Sequence, residues 1–404
     1  MEKRALLKYA YDCTEFYKEK YAGIDLDGDW GNIPVASKGE IAHGGISVIS
    51  SKYFSRLGGP GMITDVTSGS TGECLEVHIA EAEQKKSLLS LWLYRKKYYG
   101  IDTRSRLCYF YTFRDGRGEA FFEYRKNGLG FLKSRLREEH LEEICNQMYD
   151  FEPEWLLLQP GVAMVLARYL FENGLEPIPG VRYIELTGEM FSEEQRKFIS
   201  RAFDAPVASQ YGCNEVGTIA YECPFGHLHV MEHNVYVEVV REGSVAGEGE
   251  YGNILVTAKN QLAMPFIRYD TGDVGRICQV ACQCGKSGSV LELSGARKND
   301  MVTLESGEMV CASLFCRVFQ AIARRIDGRI FQYRVEQLGI NEFVVSIATD
   351  EREEEMETLF RDFIRETELK DATFRFAFAR YLLPEERTGK FQFFTNHVSR
   401  SIYG

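Results

Sequence analysis

The sequence predicts an α/β protein: a large N-terminal body of mixed and parallel sheets with crossover helices, then a small α+β domain at the C-terminus. Three observations predict it. Between residues 107 and 210, short apolar runs alternate with amphipathic stretches, the pattern of parallel strands joined by crossover helices. After Met231 the texture changes to period-two alternation broken by Gly/Glu-rich turns. Past Arg297, two strands, a charged helix and a further strand form a unit of about 100 residues, a usual domain size. At 404 residues the chain is long enough for both parts.

Taken in order, the chain reads as helix up to Tyr21, turn-rich over 25–31, then a short segment Ile33-Pro-Val-Ala-Ser-Lys38. Residues 80–99 read as a long amphipathic helix, with Leu88, Leu89, Leu91, Trp92 and Tyr98 set among Lys and Glu. Strands are predicted at 107–113, 155–158, 181–186 and 206–210, and helices at 138–149, 162–172 and 192–203. Ser192 and Gln195 have capping-box spacing for the last helix. Strands at 236–240 and 253–258 follow. The C-terminal domain reads as strands 329–336 and 342–348 around Gly339, a helix 351–366 and a strand 373–380. The expected boundary divides the chain into 1–297 and 298–404.

Composition excludes several classes of function. Hydrophobic residues are 45% and charged residues 26%, enough apolar surface to offset chain entropy, so a disordered protein is excluded. Lys+Arg is 48 against Asp+Glu 59, a net charge of −11 that repels phosphate backbones and anionic lipid. No nucleic-acid or membrane partner is expected. A local set of N–H groups and a few cations can still hold a small anion. The most apolar stretch, 155–171, contains Gln159, Pro160, Gly161 and Arg168 and is too short and interrupted to span a bilayer. Without an apolar signal core, the 11 cysteines point to reduced thiols and a cytoplasmic protein.

Chemistry-bearing stretches punctuate this framework. Thr67-Ser68-Gly69-Ser70-Thr71-Gly72 follows a strand-like run and offers N–H and O–H donors on a flexible loop, a composition suited to phosphate oxygens. No Gly-Lys-Ser/Thr follows, so it is not a Walker loop. Gln210-Tyr211-Gly212-Cys-Asn-Glu215 sits where a strand ends, the position at which open α/β sheets bind ligands. Ile267-Arg-Tyr-Asp-Thr-Gly-Asp273, Gly295-Ala-Arg297 and Thr388-Gly-Lys390 come later. Alone, each is an ordinary turn or surface group; it is the order that carries weight.

That order resembles the adenylate-forming superfamily of acyl- and aryl-CoA synthetases and luciferases, and within it the phenylacetate-CoA ligase-like branch. The resemblance includes Phe16-Tyr17, the segment ending in Lys38, and Leu228-His229-Val230, so it runs along nearly the whole chain. It implies that Thr67 to Gly72 hold the ATP β- and γ-phosphates. Gly188, Glu189, Ser209, Gln210, Tyr211 and Gly212 would line the adenine and acyl pockets, with Tyr211 stacking on the base. Glu215 would help bind Mg²⁺, a hard cation suited to carboxylate and phosphate oxygens. Asp273 would receive the ribose hydroxyls, Arg297 would reach the ribose from the hinge, and Lys390, on a mobile C-terminal lid, would meet the attacking carboxylate. Two departures stand out: Glu73 replaces the lysine usual after the phosphate loop, and the hinge position is Asn299. The segment 301–318 lacks the pattern that usually shapes the thioester-forming state.

The implied activity is ATP-dependent conversion of a small carboxylic acid, aromatic by the branch resembled, to an acyl-adenylate and pyrophosphate, followed by transfer to CoA, an amine or a carrier-protein thiol. Two other classes are carried beside it, a kinase-like or ATPase enzyme and a non-catalytic, zinc-stapled nucleotide-binding module. The staple is read from a second constellation. Cys282-Gln-Cys284-Gly can turn two thiolates to one metal, and Cys223 with a histidine from a second loop, His229 by the resemblance, would complete a tetrahedral soft-ligand set for a closed, structural Zn²⁺. His227 and Cys278 are the rival ligands.

Overall fold

The computed structural model describes residues 2–67, 75–111, 121–297, 300–326, 330–385 and 391–398. It forms two compact units, one from Met1–Thr103 and Ala208–Ser294, the other from Arg104–Val207 and Gly295–Gly404. The break at Ser294/Gly295 lies beside the expected junction after Arg297, while residues 104–207 group with the C-terminal part.

In the first unit the N-terminal helix is two helices, Lys3–Cys13 and Glu15–Lys20. Thr14 makes the break: its backbone is extended and its hydroxyl accepts the Tyr17 N–H, capping the second helix. Leu6, Leu7, Ala10 and Tyr17 are buried in one core with Ile41, Ile254, Val256 and Phe266. The strands Val235–Arg241, Gly252–Ala258 and Tyr269–Gln279 run antiparallel side by side, and Leu228–Val230, Gly217–Glu222 and Val207–Cys213 form a second antiparallel run. A parallel bridge ties Ala36 to Tyr269 and so holds the 33–38 segment against the sheet. The helix Glu81–Tyr99 forms as expected and ends on Gly100, whose φ of 68° suits glycine. Its apolar residues do not share one face. Leu91 is buried but Leu89 and Leu93 are exposed, since residues two apart on a helix point in nearly opposite directions.

The second unit contains three of the predicted strands and a further one, Gly128–Leu132. Tyr183–Thr187, Trp155–Leu158, Leu107–Tyr111 and Gly128–Leu132 lie in that order, with Phe122–Arg125 antiparallel at the edge. Leu156, Leu158, Ile184 and Leu186 pack against Val162, Val165 and Leu166 of the helix Pro160–Glu172 and against Ile199 and Phe203 of Glu193–Phe203. The capping box forms: Ser192 Oγ accepts the Gln195 N–H, and Gln195 Oε1 accepts the Ser192 N–H.

In the C-terminal part of this unit, Thr373–Phe378, Glu342–Thr349, Ile330–Gly339 and Phe394–Asn396 make a four-stranded sheet. Its core joins Phe315, Phe319 and Ile322 of the helix Ser313–Arg325 to Met356 and Phe360 of Glu353–Ile364. Phe331, Ala348, Tyr381 and Leu382 also enter the core built by residues 108–205. Arg168, buried in the helix Pro160–Glu172, reaches across this packing to Glu172 at 2.5 Å, to Asp350 at 3.0 Å and to the carbonyl of Arg380. Among the described residues no helix is long and apolar enough to cross a membrane.

Candidate functional site

In the first unit two distant motifs converge. Tyr211, near the end of the strand Val207–Cys213, donates its hydroxyl to Asp273 Oδ2 at 2.8 Å. Gly212 permits the tight pairing that follows, because a Cβ there would run into the Gly217 carbonyl. Asp273 is held from its own backbone by a hydrogen bond of its N–H to Thr271 Oγ1, and Gly272 adopts a φ of 75°, so Thr-Gly-Asp is a formed turn. Burial, and then the Asp273 charge, push the Tyr211 hydroxyl well above its usual range. It remains a neutral donor.

Glu215 is buried, yet it is not alone. Its Oε1 accepts the Tyr269 hydroxyl at 3.0 Å and lies 3.4 Å from Lys38 Nζ. Lys38 opens the helix Lys38–Gly44 just beyond the bridge at Ala36, which is how a residue from the first forty reaches this carboxylate. Burial, and then the Glu215 charge, push the Cys213 thiol well above its usual range, so it stays neutral. The sequence alone offers no role for Lys38 beyond the segment it ends. The signal that finds it is a cation within reach of the buried Glu215. A hard-oxygen donor such as Glu215 fits one arm of a Mg²⁺ site completed by phosphate oxygens.

The other expected residues are distributed as follows. Thr67 is buried, and its Oγ1 accepts the Leu75 N–H at 3.0 Å. Ser68, Gly69, Ser70, Thr71, Gly72 and Glu73 lie outside the described residues. Gln210 Nε2 donates to Thr218, and the Ser209 N–H donates to Glu222. In the second unit Gly188 takes a φ of 86°. Glu189 there accepts two backbone N–H groups, from Gly161 at 2.8 Å and from Phe391 at 2.9 Å. Arg297 closes the strand Ser289–Arg297, while its side chain, with Asn299 and Lys390, lies outside the described residues.

The cysteine and histidine residues also come together in the first unit. Ligand atoms of Cys223, His229, Cys282 and Cys284 all lie within 4.8 Å of one another. Cys223 and Cys282 sulfurs are 3.6 Å apart, and Cys284 Sγ is 3.4 Å from His229 Nε2. Zn–S and Zn–N bonds of ordinary length in a tetrahedron separate such atoms by roughly 3.5–3.8 Å, so the set fits zinc. His227 is close too, with Nδ1 3.0 Å from Cys282 Sγ, which suits a hydrogen bond to a ligating sulfur. Cys278 is not part of the group. Burial raises the Cys223 thiol to about 11, so a metal must displace its proton. At Cys284 burial acts upward, but the Lys286 N–H and the Cys282 side chain outweigh it and hold the thiol below its ordinary value. Burial, followed by the Lys286 ammonium, lowers His229 to about 4, leaving a neutral imidazole able to ligate.

No family model matches the chain. Over 162 residues it is 28% identical to the phenylacetate-coenzyme A ligase of Thermus thermophilus, a stretch covering 38% of this chain and 36% of that protein. Over 144 residues it is 28% identical to the phenylacetate-coenzyme A ligase of Escherichia coli, covering 34% and 33%. The aligned stretch thus spans about a third of the length of these relatives. In three dimensions the chain resembles 2-hydroxyisobutyryl-CoA ligase in its postadenylation state with R3-HIB-AMP, at a TM-score of 0.74 and 14% identity, over 99% of this chain and 89% of that one. The chain therefore has the fold of that acyl-CoA ligase along almost its whole length and is a sequence relative of the phenylacetate-coenzyme A ligases over the stretch that aligns.

Proposed function

We propose that the protein is an ATP-dependent acid–thiol ligase that activates a small aromatic carboxylic acid as its acyl-adenylate and passes the acyl group to CoA. The observation that carries this reading is the hydrogen bond from Tyr211 to Asp273, with Glu215 bonded to Tyr269 of the same strand, in a chain with an acyl-CoA ligase fold. The similarity to two phenylacetate-coenzyme A ligases supports the aromatic acid and the CoA acceptor.

In this reading Asp273, oriented by Tyr211 and Thr271, receives the ribose hydroxyls, and Thr67 anchors a loop that cradles the phosphates. A carboxylate oxygen of the acid attacks the α-phosphorus, the bond to the bridging oxygen breaks, and pyrophosphate departs with the electron pair. The CoA sulfur, having lost its proton, then attacks the acyl carbon and expels AMP. Catalysis of this kind depends on positioning and charge neutralisation. Mg²⁺ held beside Glu215 would supply charge neutralisation at the phosphates. Lys38 brings an ammonium to the same carboxylate. Lys390 serves the adenylation step from the lid formed by residues 298–404.

Cys223, His229, Cys282 and Cys284 are assigned to a structural zinc, because four protein ligands leave no open position for substrate. Elemental analysis of protein purified without chelators should find about one zinc per chain; none would remove the assignment. The activity itself is tested by acid-dependent exchange of labelled pyrophosphate into ATP across a panel of aryl acids, with CoA thioester followed by mass. Exchange and thioester with an aryl acid are expected. Release of ADP would point to phosphoryl transfer instead, and no exchange with any acid would leave a nucleotide-binding module.

A further inference from the structure

We propose that Arg268 is a positioning residue: its buried guanidinium holds residues 31–36 in register against the strand Tyr269–Gln279, and that register brings Lys38 and Tyr269 together on Glu215. The inference rests on Glu215 serving the phosphate end of ATP in the proposed ligase.

Arg268 has a φ of 45°, a left-handed value that few residues other than glycine adopt. Such a backbone persists only where its surroundings over-determine it. Here both main chain and side chain are engaged. The Arg268 N–H donates to Thr257 Oγ1 at 3.0 Å, and its carbonyl accepts the Ala36 N–H at 3.1 Å. Nη1 donates to the Gly31 carbonyl at 2.8 Å and also to the Ile33 carbonyl. Nε lies 3.5 Å from Glu238 Oε1, and Glu238 Oε2 accepts the indole N–H of Trp30 at 2.6 Å. Arg268 and Glu238 are both buried, and both hold the helical turn Trp30–Asn32. A rigid fork of donors lets one guanidinium serve two carbonyls beside a carboxylate, which an ammonium cannot match.

The consequence lies at Glu215. Ala36 pairs with Tyr269 through the parallel bridge, and the Ala36 carbonyl accepts the Asp270 N–H at 2.9 Å. Tyr269 donates to Glu215 Oε1 at 3.0 Å, and Lys38, two residues beyond Ala36, places Nζ 3.4 Å from the same oxygen. Extended chain advances about 3.3 Å per residue, so a slip of one residue at the bridge would carry Lys38 away from that carboxylate. The grip of Arg268 on residues 31 and 33 opposes such a slip. Asp273 is fixed by other groups, Tyr211 and Thr271 Oγ1, the latter donating to the Ile254 carbonyl at 2.9 Å. Arg268 therefore bears on the phosphate end of the site and not on the ribose end.

The test uses the full chain. Arg268→Lys keeps a charge beside Glu238 but cannot hold both carbonyls in one fork. Calorimetric titration should show Mg·ATP binding weakened roughly 10- to 100-fold, the usual effect of losing a hydrogen bond to a charged group. AMP without metal should bind at near the parent affinity. In the ligand-free protein, hydrogen exchange should be faster in peptides spanning 31–38. Arg268→Met, which also removes the charge, should shift Mg·ATP binding further in the same direction; where that variant does not fold, Arg268→Lys decides by itself. Equal weakening of Mg·ATP and AMP with a matching fall in Tm would overturn the role, as would unchanged Mg·ATP affinity in Arg268→Lys. If the parent itself binds no Mg·ATP, the ligase reading fails. The exchange comparison still decides the clamp, since unaltered protection at 31–38 in Arg268→Lys refutes it.

Discussion

The phenol of Tyr211 and the carboxylate of Asp273 are joined by a 2.8 Å hydrogen bond between two motifs 62 residues apart in sequence. Each depends on the other for its state. Burial and the Asp273 charge keep Tyr211 protonated, and the protonated phenol occupies Oδ2 and turns the carboxylate. The Asp273 backbone N–H, bonded to Thr271 Oγ1, fixes the turn beneath.

This pair makes the first prediction. Tyr211→Phe removes the donor and leaves a less oriented carboxylate at the position assigned to the ribose. A hydrogen bond to a charged group contributes about 1.5–3 kcal/mol, so KM for ATP should rise roughly 10-fold or more with a smaller effect on kcat. Pyrophosphate exchange at varied ATP measures both. An unchanged KM would separate Asp273 from nucleotide binding.

The metal cluster predicts a pH dependence of the metal-free protein. His229 is shifted from an ordinary 6.5 to about 4, chiefly by burial. Between those values the unfolded chain holds a proton that the folded chain does not, so stability falls as pH drops from about 6.5 towards 4 and this group has no influence well above 6.5. Thermal unfolding of chelator-stripped protein across that range should show the decline, and His229→Gln should flatten it. An identical slope in the variant would place the effect elsewhere.

Much of this arrangement was legible in the sequence because its determinants are local. The strands at 155–158 and 183–187 are short apolar runs, and the capping box at Ser192 is a three-residue signal. The Cys/His group was legible because its pairs are close in sequence and its chemistry is narrow. What stayed hidden depends on distant partners. The strand Gly128–Leu132 carries Gly128 and Gly130, which weaken any strand pattern; Gly130 is there because the Tyr109 ring lies where its Cβ would be, 2.7 Å from the Tyr109 Cζ. The helix Ser313–Arg325 has no side-chain cap at its start to mark it in the sequence. The bond of Glu189 to Phe391 joins residues 202 positions apart, with no local signal for it. Lys38 likewise meets Glu215 only through the bridge from Ala36 to Tyr269.

Arg168 offers a stability prediction free of any functional assumption. Its guanidinium is buried, bonds Glu172 and Asp350, and lies 4.5 Å from the Phe331 ring. Arg168→Met keeps much of the apolar stem but leaves the Arg380 carbonyl and Asp350 without this donor. Glu172 retains Arg380 Nε at 2.7 Å and the Tyr381 hydroxyl at 3.0 Å, so the loss belongs at the low end for a broken buried pair, about 3 kcal/mol. Urea unfolding measures it. A cost under about 1 kcal/mol would mean that Arg380 and Tyr381 hold this junction by themselves.

The last prediction concerns Lys390, which lies outside the described residues but follows Thr388-Gly near the chain's end. Adenylation presses a carboxylate against an anionic α-phosphate, so two negative groups must meet before a bond forms. An ammonium there offsets the repulsion and follows the charge as it moves onto the bridging oxygen. Thioester formation involves no such meeting of anions, and a lysine delivered by the lid is not needed in that step. Lys390→Ala should therefore lower adenylate formation by roughly 10²–10³-fold, the usual loss for one preorganised electrostatic contact. The same variant should consume chemically prepared acyl-adenylate with CoA at close to the parent rate. Full adenylation activity in Lys390→Ala would sink the assignment. Equal loss in both half-reactions would instead indicate a damaged C-terminal domain, which the Tm of the variant would reveal.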